Sequence, residues 1–320
     1  MKKTDLNIKT NKMDEAKREV LRIHELFKQK HVDFENEALQ LISSGIHSEF
    51  LYTALMEYYV EREQYEKAIH FITECRKHFP NNTNHNINQS VVLNKLKLFD
   101  PSHPKSKTIH AVVSRFEENV DYLQNYPFEY TLYNKGSAIN EKSIQLPNVG
   151  KCDHTYLTFI VDNYSSLPEI TLFLPASFYK NPLKRILTDE LIYRLLVDGK
   201  TSFVGRHLND LVKNNYSFEL EKWDTTAAEN KGACSTNLEP CSERPYGKWV
   251  EKIFGEVPAY PFITFFALLA VRKKDILARP RSFYETLLEY VKTPNPEAGH
   301  YIERSWGLIF PCSDPEFIAY

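Results

Sequence analysis

Breakers are almost missing from the first third of this chain. Of 17 prolines and 10 glycines in 320 residues, only Pro80 and Gly45 fall within the first 100. That scarcity excludes a loop-rich or β-rich start and leaves helices. Cysteine is also scarce. Cys75, Cys152, Cys234, Cys241 and Cys312 are odd in number and widely spread, with no CxxC pair. They argue against a disulfide framework or a zinc site and fit a reducing compartment. No glycine-rich phosphate loop, GxSxG or HExxH occurs, which counts against kinases, Rossmann dehydrogenases and the common hydrolases. Neither sign of charge is in excess: 40 basic against 42 acidic side chains give −2. A nucleic-acid groove or polybasic membrane patch is therefore not expected. The charged N-terminus lacks the apolar stretch of a secretory signal. The longest apolar run, 257–271, carries two prolines and is shorter than the ~20 residues of a spanning helix. A buried pair of strands accounts for it, and the cytoplasm is the expected compartment.

The N-terminal part has a helical rhythm. Leu51, Leu55 and Tyr59 share one helix face, Tyr65, Ala68, Ile72 and Cys75 the next, and Pro80 follows. The small Ala68 lets two helices approach closely. This pattern resembles a tetratricopeptide repeat of ~34 residues, although Met56 stands where that family prefers a small residue. Residues 14–45 read as a second, degenerate helix pair. Such units rarely stand alone, so residues 1–100 are expected to pack on the rest of the chain or on a protein partner. The proline- and lysine-bearing stretch 101–107 reads as a linker, and 108–320 as a second domain.

From residue 108 the pattern alternates. Strands are predicted at 108–115, 128–136, 169–175 and 263–271. Helices are predicted after the first strand ("FEENVDYLQNY"), after the turn at 146–154, and at 273–292 and about 297–310. Strands alternating with helices predict an α/β fold, a mostly parallel sheet flanked by helices on both faces. Such sheets bind ligands beyond the carboxyl ends of their strands. The polar motifs fall there: Ser114, Arg115 and Glu118 after the first strand, Asn134 and Lys135 after the second, and Asn148, Lys151, Asp153 and His154 at a helix start. The last helix carries His300, Glu303 and Arg304.

The series VxSRFxE, YNKG, LPNVGxxxHTYL, RPxxFYExLLE and GHYxERxW resembles a mostly uncharacterised domain of fungi, bacteria and large viruses, over about residues 108–312. The first strand with its SRFxE ending and the NVGKCDH turn also resemble, more distantly, GT-A-type glycosyltransferases. That resemblance implies transfer of a sugar from a nucleotide-sugar donor to a glycan or other hydroxyl acceptor. It implies catalytic roles for Glu303, as base toward the acceptor, and for His300. Ser114, Arg115, Glu118, Asn134, Lys135, Asn148, Lys151, Asp153, His154 and Arg304 would bind substrate. GT-A enzymes commonly hold Mn²⁺ or Mg²⁺ with an Asp-x-Asp triplet; this chain has none. The alternative is a non-catalytic helical-repeat adaptor whose α/β domain binds a carbohydrate or a protein.

Overall fold

The computed structural model describes residues 2–79, 88–89, 92, 107–126, 128–139, 141–207, 213–221, 238–257 and 262–319, with side chains from 15 onward except at 213–214. The chain divides into two compact units, residues 1–97 and 98–319. The linker expected at 101–107 falls, up to residue 106, outside the described residues.

Among its described residues the first unit has helices α1 (Lys2–Lys28), α2 (Phe34–Ser43), α3 (Glu49–Glu61) and α4 (Tyr65–His78). Leu51, Leu55 and Tyr59 of α3 and Ala68, Ile72 and Cys75 of α4 are all buried, as the spacing predicts, while Tyr65 is only half-buried. Tyr59 Oη donates to Glu35 Oε1 of α2 at 2.6 Å, tying the helices together. Among the described residues no helix is long and apolar enough to cross a membrane.

The second unit is a seven-stranded sheet in the order β3-β2-β1-β4-β6-β5-β7. Its strands are β1 (Ile109–Arg115), β2 (Glu129–Asn134), β3 (Ile144–Gln145), β4 (Ile170–Pro175), β5 (Ser202–His207), β6 (Phe262–Arg272) and β7 (Glu316–Ala319). The strands β3, β2, β1 and β4 run parallel, β6 is antiparallel to both its neighbours, and β5 pairs parallel with β7. The sheet is mostly parallel and flanked by helices. The chain leaves β1 toward β2 on one side and returns to β4 on the other, so the strand order reverses between β1 and β4. A crevice forms at such a reversal.

The α-helices among the described residues are α5 (Lys151–Asp162), α6 (Pro182–Val197), α7 (Tyr246–Phe254), α8 (Lys273–Ile276), α9 (Arg281–Glu289) and α10 (Glu297–Ile309). Tyr156, Leu157 and Ile160 of α5 and Tyr301, Ile302, Trp306 and Ile309 of α10 join Val112, Phe173 and Phe203 of the sheet in one buried cluster. α6 packs on β5 and β6 with its own buried residues, among them Leu187 and Leu191.

Three expectations need correction. "FEENVDYLQNY" forms only a 3-10 turn, Asp121–Asn125, because its polar first half is consumed by the strand-end turn. The helix expected at 273–292 is two helices, broken at Pro280, which caps α9 and cannot sit in a helix interior. The apolar run at 257–271 supplies not a strand pair but one strand, β6, with an irregularity against β5: Phe203 pairs with Leu269 and Gly205 with Thr264. Four residues, 265–268, thus face a single residue of β5. The bulge carries Phe266 and Ala267 at φ +69° and +54°, a region that costs non-glycine residues on the order of 1–3 kcal/mol each.

Candidate functional site

A cleft of about 460 Å³ opens at the carboxyl ends of β1 and β4 and is closed by α5, α10 and the β6 bulge. Its volume suits a ligand site, and it sits at the reversal point of the sheet. Local strain concentrates there. Among the described residues of the second unit, the non-glycine residues with left-handed backbone are Lys151, Phe266 and Ala267, and all line this cleft. Neighbouring helices hold the bulge in place. Tyr156 Oη donates to Ala267 O at 3.0 Å, and Thr264 Oγ1 donates to Glu303 O while accepting from Trp306 N.

From β1, Ser114 reaches the wall and exchanges a hydrogen bond with Thr155 of α5 (2.9 Å). Arg115 faces the cleft but spends its guanidinium internally. Nε donates to Glu118 O at 2.8 Å, and Nη1 donates to Phe116 O at 2.8 Å and Asn134 Oδ1 at 2.6 Å. Glu118 turns back as well, accepting from Phe116 N at 2.7 Å. Asn134 is fully buried and donates to Ser137 O (2.9 Å) and Gln145 Oε1 (3.0 Å). It is not part of the lining. The resemblance assigns Arg115 and Asn134 to substrate, whereas the structure uses them to lock the β1 and β2 ends together. Gly136 makes that lock feasible, because a Cβ there would stand 1.9 Å from Phe116 O.

Lys135 crosses to the start of α5, donating to Val149 O at 2.5 Å and to Lys151 O. Burial pushes its ammonium down to about 8. α5 begins at Gly150, φ +55°, packed so tightly that a Cβ would meet Val291 O at 2.2 Å. The exposed Asn148 stands at the rim. Lys151 follows, its Nζ 2.7 Å from His300 Nε2. Asp153 is not the N-cap, which is Gly150. It sits in the first turn, buried, its Oδ1 accepting from Trp306 Nε1 at 3.1 Å. Burial first, then the negative Glu303, push its carboxyl up to about 8. His154 points elsewhere: it does not line the cleft, its Nδ1 has no hydrogen-bond partner among the described residues, and burial pushes it down to about 4. It is a packing residue.

On α10, His300, Glu303 and Arg304 all line the cleft. Burial and then the charges of Lys151 and Arg304 push His300 down to about 2, so its ring is neutral. Arg304 donates to His300 O at 2.9 Å and lies 3.6 Å above the Phe218 ring. Glu303 is half-buried. No hydrogen bond or ion pair engages its carboxylate among the described residues, although its backbone oxygen is bound by Thr264.

The sequence reading misses the Phe116, Phe218, Phe265 and Phe266 rings, and Lys184, whose ammonium lies 5.2 Å from the Phe266 ring centroid. A signal for Lys184 exists. Asn181 is the N-cap of α6, accepting from Lys184 N at 3.0 Å, and Pro182 follows it, so "NPLK" marks a helix start just after a strand. Among the described residues no three His, Cys, Asp or Glu side chains gather into a metal-holding group.

Residues 111–317 match the model of a family described as "Protein of unknown function (DUF3431)", and the chain belongs to that family. No curated protein matches the chain.

Proposed function

We propose that this member of an uncharacterised family is a glycosyltransferase-like enzyme that moves a sugar from a nucleotide-sugar donor to a hydroxyl acceptor in the cleft at the β1 and β4 ends. One observation carries the reading: an unengaged carboxylate, Glu303, stands among five cationic side chains, Arg115, Lys135, Lys151, Lys184 and Arg304. The chain as a whole is slightly acidic at −2, so the cation excess is local to this cleft. A diphosphate wants such cations, and with Arg115 and Lys135 largely spent internally, Lys151, Lys184 and Arg304 are the side chains that meet it. The aromatic rings of Phe218, Phe265 and Phe266 offer faces for a base or a sugar.

In this reading the acceptor oxygen attacks the anomeric carbon, its proton passes to Glu303, and the carbon–oxygen bond to the diphosphate breaks. The nucleoside diphosphate leaves with its charge held by the lysines. The inward use of Arg115 and Lys135 favours the second reading, an adaptor that binds without turnover. Calorimetric titration with UDP, GDP, CDP and ADP separates the two. Saturable binding of at least one nucleotide, followed by turnover of its sugar conjugate, is expected; binding of none overturns the transferase reading.

A further inference from the structure

We propose that Asp153 and Glu303 work as one proton-sharing pair, with Asp153 the cleft's proton donor and Glu303 its acceptor. The identity of the groups that give and receive the protons rests on the transferase reading; the pairing itself does not.

The geometry comes from two helices. Asp153 lies in the first turn of α5 and Glu303 in the middle of α10, and both line the cleft. One Asp153 oxygen is fixed by Trp306 Nε1, and no hydrogen bond engages Oδ2 among the described residues. Gly299, one turn before Glu303 on α10, lines the same cleft and lies beside that oxygen: a Cβ at this glycine would be 3.8 Å from Asp153 Oδ2. Trp306 follows three residues after Glu303, so one helix supplies the base, the clamp and the small residue against Oδ2. Two carboxyl groups in one partly dry site do not both ionise easily. The buried member keeps the proton, and the carboxyl of Asp153 is accordingly held up by burial and by Glu303, against the charges of Lys151 and Lys135. Cys152, also beside Asp153, is held protonated by burial, and His300 stays neutral. Neither competes for the proton.

During transfer the acceptor O–H bond breaks and its proton goes to Glu303, while the new bond to the anomeric carbon forms. The bond from that carbon to the diphosphate oxygen breaks with its electron pair on oxygen, and Asp153 places its proton there. Proton passage from Glu303 to Asp153 then restores the pair, so the acceptor proton has in effect moved to the departing phosphate.

Trp306 supplies a readout that needs no substrate. Its indole N–H is bound to Asp153 Oδ1, so the nitrogen-15 shift of this indole follows the charge on that carboxyl. The three tryptophans, Trp223, Trp249 and Trp306, are told apart by Trp306→Phe. The full-length protein is expected to show a titration midpoint at about 8, absent in Asp153→Asn. Glu303→Gln should lower it by roughly one unit or more, and Lys135→Met should raise it. A midpoint unmoved by Glu303→Gln, or a titration that persists in Asp153→Asn, overturns the pair. The role toward the leaving group has its own readout. Asp153→Asn should slow transfer at least tenfold from a sugar nucleotide and much less from an aryl glycoside whose leaving group needs no proton; equal slowing overturns it. Failure of every nucleotide to bind, with the titration still coupled, removes the phosphate assignment and the transferase reading but not the pair.

Discussion

The ammonium of Lys151 lies 2.7 Å from Nε2 of His300, and the imidazole is the acceptor. Burial and the two cations beside it push His300 down to about 2. It therefore carries no second proton near neutrality, and its lone pair is already engaged. The resemblance gives His300 a catalytic part; the geometry gives it the task of aiming Lys151, which starts α5 in a left-handed conformation at φ +49°.

Lys151→Ala should then weaken nucleoside diphosphate binding about tenfold or more, the scale of a lost charge-assisted hydrogen bond at ~1.5–3 kcal/mol. His300→Gln should fall between the variant and the parent. Melting should change little in Lys151→Ala. Calorimetric affinities decide the matter: parent-like binding in Lys151→Ala would reduce "NVGKCDH" to a structural turn.

Glu303→Gln keeps the shape of a side chain that has no partner among the described residues, so folding and nucleotide binding should survive. General-base help contributes ~10²–10⁴-fold, and the turnover number should fall by at least the lower figure. Turnover equal to the parent's would remove Glu303 from the mechanism.

Asp153 links the site to stability. Burial and the charge of Glu303 push its folded carboxyl up to about 8 from the ordinary 3.8, so the folded state holds a proton that the unfolded chain releases. The favourable contribution is complete below about pH 4, decreases as pH rises toward 8, and is gone above it. Asparagine keeps the acceptor for Trp306 and never ionises. Asp153→Asn should melt above the parent at pH 9, with the gap narrowing toward pH 5 in a thermal-shift series. His300 and His154 act in the opposite direction. Their folded values of about 2 and about 4, against 6.5, stabilise the protein above pH 6.5 and cease to do so as pH falls.

At Gly150 the prediction is steric. Alanine would have to adopt φ +55° with its Cβ 2.2 Å from Val291 O, so the start of α5 must move. Gly150→Ala should lose more than ~2 kcal/mol in denaturant unfolding, since strain and overpacking each cost ~1–3 kcal/mol, and nucleotide binding should weaken with it. A parent-like midpoint would show that this loop is pliable.

How far the sequence speaks for the site varies from residue to residue. Ser114 and Lys135 reach the cleft because runs ending in polar residues mark parallel strands, and parallel strands present their carboxyl ends together; Lys151 reaches it from the start of α5. The same polarity does not show how Arg115 and Asn134 spend their hydrogen bonds: Arg115 lines the cleft yet bonds the buried Asn134 across the β1 and β2 ends. That choice depends on the Gly136 turn bringing two loops into contact, a tertiary fact with no local signature. The β6 bulge is equally hidden. "ITFFALLAV" reads as an unbroken strand, whereas the bulge is held by long-range hydrogen bonds, Tyr156 to Ala267 and Thr264 to the α10 backbone. α6 was open to reading through Asn181 and Pro182, and its omission also hides Lys184. The short strands β3 and β7, of two and four residues, carry too few positions for alternation to show.

Gly299 separates packing from chemistry. It lies inside α10, where glycine is ~0.8–1 kcal/mol less favourable than alanine, and a Cβ there would find only ordinary contacts, at 3.8 Å to Asp153 Oδ2 and Pro296 Cγ and 4.0 Å to Val291 Cγ1. Sterics alone therefore allow alanine, and Gly299→Ala should stabilise the protein by about 0.5–1 kcal/mol in denaturant unfolding. The same methyl would lie against Asp153 Oδ2, the oxygen that Trp306 does not bind. If Asp153 serves the reaction through that oxygen, turnover should fall at least tenfold in a protein that is more stable than its parent, while affinity for the nucleotide, held by Lys151, Lys184 and Arg304, stays within about twofold. Greater stability with full turnover would show that glycine here serves packing alone and that Asp153 has no exchange with the substrate.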